Sequence, residues 1–462
     1  MRFAGMNITF RHFPFNYFLD SMEQLGINKI ELWAGEPHIY VYRNAIESIR
    51  TIKKEIKSRN MEIVCYTPEQ CVYPFNLAAL DPQWRKSSID YFVENIYAAL
   101  ELETRMVLIT SGIGDFSVSL GESWKYTSDS IYQLSKVAEK EGLAFRGEIE
   151  GFVDEICQKG YKNIFLIGAG GTIAMMYPYE YILKSNSTID VHAEIAAEFM
   201  VMNHKHFSKD SVCIFTSVSG TTKETLAAAE YCKEKGATTI ALVAEPNTPL
   251  TKMVDYCITT GSEKHSFDTF YLLLYMVIFR FMYNRDEFPQ YEQFTKEVNL
   301  LPRAILNAVK SFDQKAEEFA IKHKDTDYHM MVGSGNLWGN TYCYAMCVLE
   351  EMQWIHAKSI HAAEFFHGTL ELVVEDTSVI LLKGEDETRP LMDRVERFVE
   401  NITKNVTIID TKDFEMEGIS EEFRKHFAVS INWSVLSRIS VYLERERNHS
   451  LELRRYYRQM EY

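Results

Sequence analysis

The sequence predicts an α/β protein built on parallel sheets, and three observations carry that reading. Short apolar runs recur, each followed by a stretch long enough for a helix. Two glycine- and hydroxyl-rich turns lie between such a run and the next helix, at 168–172 and 217–225. The strand–turn–helix pattern of Ile164–Thr172 returns at His329–Leu337, so the later part of the chain reads as a duplication. Two doubly wound lobes, 143–300 and 301–462, behind a separate segment 1–142, are the simplest account.

In the first segment the apolar stretches Phe3–Ile8, Lys29–Trp33, Ile63–Tyr66 and Met106–Ile109 are expected as strands. Helices are expected near Phe15–Leu25, Ala45–Arg59, Gln83–Leu102 and Ser128–Glu141, giving four βα units. The junction Ala138–Leu143 is polar with one glycine, and no low-complexity linker separates the parts. Next comes the strand Ile164–Ile167 and then Gly168-Ala-Gly-Gly-Thr172, before a helix that Pro178 must either start or break. Val212–Phe215 leads into the loop Ser217-Val-Ser-Gly-Thr-Thr222. Phe270–Phe279 is the most apolar run; it is closed by Arg280, is too short to cross a bilayer, and suits a core or dimer helix. The charged stretch Tyr291–Ala320, interrupted near Pro302, would bridge the lobes. Tyr342–Trp354 reads as a helix with Tyr342, Met346 and Leu349 near one face and Glu351 near its end; His367 opens the element after the following loop.

Composition excludes several functions. The formal net charge is −16, from 49 basic and 65 acidic residues, which opposes nucleic acid as a partner. Eight scattered cysteines with no C-x-x-C spacing suit free thiols in a reducing cytoplasm. Met1-Arg-Phe-Ala-Gly leads straight into a strand, so neither a signal peptide nor a membrane partner is expected. Cys343 and Cys347, one helical turn apart, read as a buried pair. His356, His361 and His367 with Glu350, Glu351 and Glu364 fit no helical ligand spacing. The expectation is no metal and no cofactor.

The two turns carry the binding chemistry. A strand that ends in small and hydroxyl residues before a helix presents backbone N–H groups at the positive end of the helix dipole. Ser217, Ser219, Thr222 and Thr172 add side-chain donors, and Gly170 and Gly220 allow close approach, so these six residues are expected to hold a phosphate. Position 173 is Ile, which breaks a dinucleotide fingerprint, and no Gly-Lys-Ser/Thr follows to make a nucleotide loop.

From about Gly142 to Tyr462 the chain resembles the sugar-isomerase (SIS) domain proteins. The resemblance rests on Glu194-Ile-Ala-Ala-Glu-Phe199, Ser217-Val-Ser-Gly-Thr-Thr222 and Glu364-Phe-Phe-His-Gly-Thr-Leu-Glu371. With the ending Glu452–Tyr462, it is nearest to the deglycases of phosphorylated Amadori compounds such as fructoselysine 6-phosphate. The first 142 residues, through Ile30-Glu-Leu-Trp-Ala-Gly-Glu-Pro-His38 and Tyr66–Phe75, resemble the front of a fructoselysine epimerase, a TIM barrel. A barrel needs eight βα units and only four are present, so a half-barrel is expected. The epimerase metal ligands fall in the missing half, which leaves His38 and Glu69 as relics of a sugar-binding rim.

The resemblance implies an activity. A fructosamine is a 1-amino-1-deoxy-ketose; taking a C1 proton gives an enaminol, and reprotonation at C2 gives an imine. Water then releases the amine and an aldose 6-phosphate. By the resemblance, Glu351 is the C1/C2 base and His367 the ring-opening acid, with Ser334 and His361 as further substrate contacts. The base is expected to be shifted towards neutrality by burial. A homodimer or higher homo-oligomer is implied, in which the two half-barrels meet or, preferably, each seals its own edge. An aldose–ketose or aminosugar-phosphate isomerase using the same pair, or a non-catalytic sugar-phosphate sensor, are the alternatives. The segment from about Gly142 onward also resembles the isomerase half of glucosamine-6-phosphate synthases, but the lysines those enzymes carry at this place are absent from Tyr344–Glu351, which argues against amide-nitrogen transfer. Lysine, asparagine, another amino acid or a glycated peptide all suit the chemistry as the amine.

Overall fold

The computed structural model describes residues 3–41, 46–104, 106–115, 117–142, 144–260, 266–457 and 459–460. They fall into two compact units, Met1–Phe145 and Arg146–Tyr462. All described strand pairs are parallel.

In the first unit β1 (Gly5–Met6), β2 (Lys29–Ala34) and β3 (Glu62–Pro68) form a sheet in that order. They alternate with α1 (Phe15–Gln24), α2 (Ile46–Ser58), α3 (Pro82–Glu101) and α4 (Leu120–Gly142). Phe18, Leu19, Ile30, Leu32, Ile49 and Tyr66 form the core beside the sheet. The first strand is shorter than Phe3–Ile8. After Met6 the Asn7 side chain takes over the pairing, donating to the Trp33 carbonyl at 2.9 Å and accepting from its N–H at 2.7 Å. The chain is then free to enter a 3₁₀ turn at Asn7–Phe10. The expected fourth strand is reduced to one bridge, Tyr66 to Val107. Met106 and Leu108 on either side are 44% and 47% exposed, so no buried face extends the pairing. The fourth helix starts at Leu120, not near Ser128, because Ser119 and Glu122 cap each other: each backbone N–H meets the other's side chain at 3.2 Å.

The second unit takes up α5 (Ala144–Lys159) from Arg146 onward and holds two sheets. The first has the order β5 (Asp190–Ile195), β4 (Asn163–Gly168), β6 (Ser211–Ser217), β7 (Thr238–Val243) and β8 (Tyr256–Thr259). Its connecting helices are α6 (Gly171–Asn186), α7 (Ala196–Met202), α8 (Lys223–Glu234) and α9 (Pro249–Met253). Every residue of β4 and β6 is buried, as fits central parallel strands. Three helices follow: α10 (Ser266–Tyr283), α11 (Tyr291–Val298) and α12 (Leu301–His323). The apolar run Phe270–Phe279 lies in α10 as a core helix, and Pro302 sits at the start of α12. The second sheet has the order β10 (His356–His361), β9 (Tyr328–Gly333), β11 (Ser378–Lys383) and β12 (Val406–Asp410). With it go α13 (Trp338–Cys343), α14 (Arg389–Val399) and α15 (Glu421–Arg447). Among the described residues no helix is long and apolar enough to cross a membrane.

Two helix expectations change. Pro178 neither starts nor breaks α6 but lies inside it, buried. Lacking an N–H, it leaves the Ala174 carbonyl without its helical donor. A Cβ on Gly339 of α13 would stand 2.2 Å from that carbonyl oxygen and 2.8 Å from Pro178 Cδ, so glycine there permits the two helices to touch. The helix over Tyr342–Trp354 is α-helical only to Cys343 and becomes a π-helix at Tyr344–Glu350. The Glu351 and Gln353 N–H groups bond five residues back, to Met346 and Val348, both at 3.0 Å. The wider turn moves the buried face to Tyr344, Ala345, Val348 and Leu349, leaving Tyr342 and Met346 half-buried.

Candidate active site

Strand order reverses between β4 and β6, since β5 lies on the far side of β4. Ligands of doubly wound sheets bind at the carboxyl ends of the strands at such a point. Both glycine-rich turns leave from there. In the loop after β6 the Ser217 hydroxyl accepts the Gly220 N–H at 2.9 Å. Gly220 has φ +59°, and a Cβ would meet Thr248 Oγ1 at 2.1 Å. Ser219 and Thr221 share a hydroxyl–hydroxyl bond of 2.9 Å. Thr222 caps α8, whose backbone bonding opens with Leu226 N–H to the Thr222 carbonyl at 2.9 Å. The N–H groups of the turn before it therefore lie at the positive end of the helix, where an anion is favoured.

In the loop after β4, Thr172 Oγ1 binds both the N–H and the carbonyl of Ala169 at 3.0 Å, so this side chain closes the turn. Gly170, with φ +58° and ψ −125°, caps α6 and faces open space: a Cβ there would meet nothing within 4 Å. The conformation, not crowding, selects glycine here.

The duplicated turn of the second sheet is built differently. A carboxylate of the same lobe, Asp386, fills it: the Asn336 N–H donates to Asp386 Oδ2 at 3.0 Å, and the Thr388 N–H to Oδ1 at 2.9 Å. A Cβ on Gly335, φ +53°, would lie 2.4 Å from Asp386 Oδ1. Ser334 is buried and its hydroxyl is bonded to Thr388 Oγ1 at 2.8 Å, which gives it an internal partner.

Glu351 sits at the end of the π-helical segment. The π-helical segment leaves from Cys343, the last residue of α13, beside the first glycine-rich turn: a Cβ on Gly171 would lie 3.5 Å from Cys343 Sγ. Glu351 lines a cavity of about 460 Å³ with Glu350, Trp354, His356, Arg454 and Tyr457, a volume suited to a small ligand. None of the residues of the two glycine-rich turns lines it. Arg454 Nε donates to Glu351 Oε1 at 2.9 Å, so the carboxylate is paired with a guanidinium instead of lying in an apolar pocket. Trp354 adopts φ +55°, and the Arg455 guanidinium lies 4.0 Å from its ring centre.

His361 ends β10, half-buried, its Nδ1 accepting from the Ala363 N–H at 3.2 Å and its ring edge-on to Trp338 at 5.3 Å. Burial pushes its pKa down. His367 is exposed on the following turn, ahead of Gly368 with φ +132°, and does not line the Glu351 cavity. The fold thus joins Glu351 with the chain's tail and leaves His367 outside that cavity. Arg454 and Trp354 line this cavity without having been singled out from the sequence, although the ending Glu452–Tyr462 was part of the deglycase resemblance; His356, expected as a structural or rim residue, lines it too. In the first unit the relic residues serve structure. Glu69 accepts the Trp33 indole at 2.8 Å and the Cys71 and Val72 N–H groups at 2.6 and 2.7 Å. Burial alone would raise its pKa, but these bonds hold it below the ordinary value.

Two parallel-sheet lobes, one with open glycine-rich turns at its switch point and the other with its turn filled by its own carboxylate, are the architecture of an SIS-type protein. The SIS domain family model matches residues 159–282, and the xylose isomerase-like TIM barrel model matches 19–157. The fructosamine deglycase of Bacillus subtilis (strain 168) is 32% identical over 318 residues, covering 68% of this chain and 97% of that protein. Fructoselysine 6-phosphate deglycase of Escherichia coli (strain K12) is 24% identical, covering 67% and 89%. A solved candidate phosphosugar isomerase from Bacillus subtilis, 31% identical, superposes with a TM-score of 0.65 over 68% of this chain and 97% of its own. The chain belongs to the fructosamine deglycase family of SIS-domain proteins.

Proposed function

We propose that the chain is a deglycase that splits a 6-phosphorylated fructosamine into an aldose 6-phosphate and a free amine. Its coarser function, an enzyme acting on a sugar phosphate, follows from the family. The observation that supports the finer reading is Glu351: a carboxylate in a small-ligand cavity, at the end of the π-helical segment that leaves from Cys343 beside the first glycine-rich turn. The Ser217–Thr222 loop, with Gly170 and Thr172, would hold the phosphate. Glu351 would take the C1 proton and return it to C2, and water would hydrolyse the imine. His367 would open the ring; its exposed turn lies outside the Glu351 cavity, so a second copy of the chain would supply it. Ser334, bonded internally, would act through the loop, and His361 would line the sugar.

Incubation with fructoselysine 6-phosphate tests the reading: glucose 6-phosphate and lysine should appear in equal amounts, and unphosphorylated fructoselysine should react poorly. Equal rates on both substrates would sink the phosphate assignment. A phosphosugar isomerase is the second reading, favoured by the solved neighbour of that description. It would interconvert an aldose and a ketose phosphate without releasing amine.

A further inference from the structure

The edge strand β5 carries Asp190, His192 and Glu194 at alternate positions, so their side chains share one face. The loop after α7 returns His204 and His206 to that face. The three imidazole rings lie close together: His192 to His204 at 4.5 Å, His192 to His206 at 5.2 Å, and His204 to His206 at 5.7 Å. Beneath them the buried Phe165 ring stacks on His192 at 4.8 Å and meets His204 edge-on at 4.9 Å. His192 Nε2 is buried without a hydrogen-bond partner, 3.2 Å from Asp190 Oδ1. A buried imidazole nitrogen without a partner calls for one.

We propose that Asp190, His192 and His206 form a binding site for a divalent transition metal ion, with zinc the best fit, that ties this loop to the sheet edge. One donor atom from each of the three lies within 4.8 Å of the others. Asp190 Oδ1 lies 3.2 Å from His192 Nε2 and its other oxygen, Oδ2, 3.1 Å from His206 Nδ1, so the carboxylate stands between the two imidazoles with an oxygen towards each. Two imidazoles and one carboxylate, with a fourth position open to water, make a donor set that zinc accepts. His192, Glu194 and His204 also cluster, but they are poorer ligands. His204 Nδ1 accepts the His206 N–H at 3.2 Å, so the neutral ring carries its proton on Nε2, which faces Glu194 at 3.6 Å. His204 therefore orients the His206 loop and does not ligate.

The role is structural. Asp190 pairs in register with Asn163 at the start of β4, whereas the phosphate turn follows Gly168 at its end, roughly 16 Å away at ~3.3 Å per residue. An ion here would cover an exposed strand edge and would not touch the reacting sugar.

The test is zinc titration of the metal-stripped full-length chain against a chromophoric chelator, with X-ray absorption on the loaded protein. One zinc per chain should bind, with a first shell of two imidazoles and oxygen. His192→Ala, His206→Ala and Asp190→Asn, each checked for native circular dichroism, should weaken it by at least about 10-fold. Zinc should raise the melting temperature of the wild type and leave turnover unchanged. No binding, a sulfur-containing shell, or wild-type affinity in a folded His192→Ala variant would overturn the proposal. If the variants do not fold, the spectrum of the loaded wild type decides alone.

Discussion

Arg454 donates to Glu351 across 2.9 Å, joining the chain's last turns to the end of a π-helical segment 103 positions earlier. Arg454 also binds the carbonyls of Leu451 and Leu453 at 2.7 and 2.8 Å, so the tail is folded around this one side chain. Arg454→Met should lower kcat more than it changes KM and expose the tail to proteolysis, and Arg454→Lys should recover part of the rate. Unchanged kcat in Arg454→Met would show that the pair only anchors the tail.

Glu351→Gln keeps size and removes the base. Turnover should fall about 10²-fold or more while substrate still binds near its wild-type affinity. Measuring binding by calorimetry beside kcat separates the two, and a near-normal rate would exclude Glu351 as the proton carrier.

At the turn proposed to hold the phosphate, Ser219→Ala and Thr222→Val should each weaken substrate binding by about 1–2 kcal/mol, the cost of losing a hydrogen bond to a charged group. Gly220→Ala should do worse, since the new methyl would press on Thr248. KM that does not move in any of the three would place the phosphate elsewhere.

His367 lies apart from the Glu351 cavity within one chain, so inactive Glu351→Gln and His367→Ala proteins should complement when refolded together. Up to about a quarter of wild-type activity is expected from random pairing in a two-fold dimer. An inactive mixture would mean that both residues act from the same chain.

Among the described residues three histidines are buried: burial pushes His329 and His426 down to about 3 and His323 to about 4. They are neutral in the folded chain, whereas the unfolded chain takes up protons below about pH 6.5. Stability should therefore be fully present above that pH and fall as pH drops towards 4, each group adding up to about 1.4 kcal/mol per pH unit. Urea midpoints at pH 7 and pH 5 check this, and a flat profile would contradict it.

Much of the fold was legible because central parallel strands bury both faces. Ile164–Ile167 and Val212–Phe215 read as unbroken apolar runs with glycine turns behind them, and the loops at the switch point followed. Elements held by particular side chains were not legible. Asn7 ends β1 by replacing a backbone rung, and Pro178 lies inside α6 where Gly339 lets α13 pack closely against it. The π-helical turn at Tyr344–Glu350 leaves the residue spacing of an ordinary helix in the sequence. The tail residue Arg454 met Glu351 only through the tertiary fold, and the histidines of the edge strand needed a loop to bring their partners back.

The carboxylate of Asp386 has a consequence for counting. Of two turns of similar pattern, the second is filled by its own carboxylate, whereas the first is the one proposed to take an anion from solution. Each chain should therefore saturate with a single sugar phosphate, on a simple hyperbolic isotherm unless neighbouring copies interact. Asp386→Ala would vacate the duplicate turn and let inorganic phosphate occupy it.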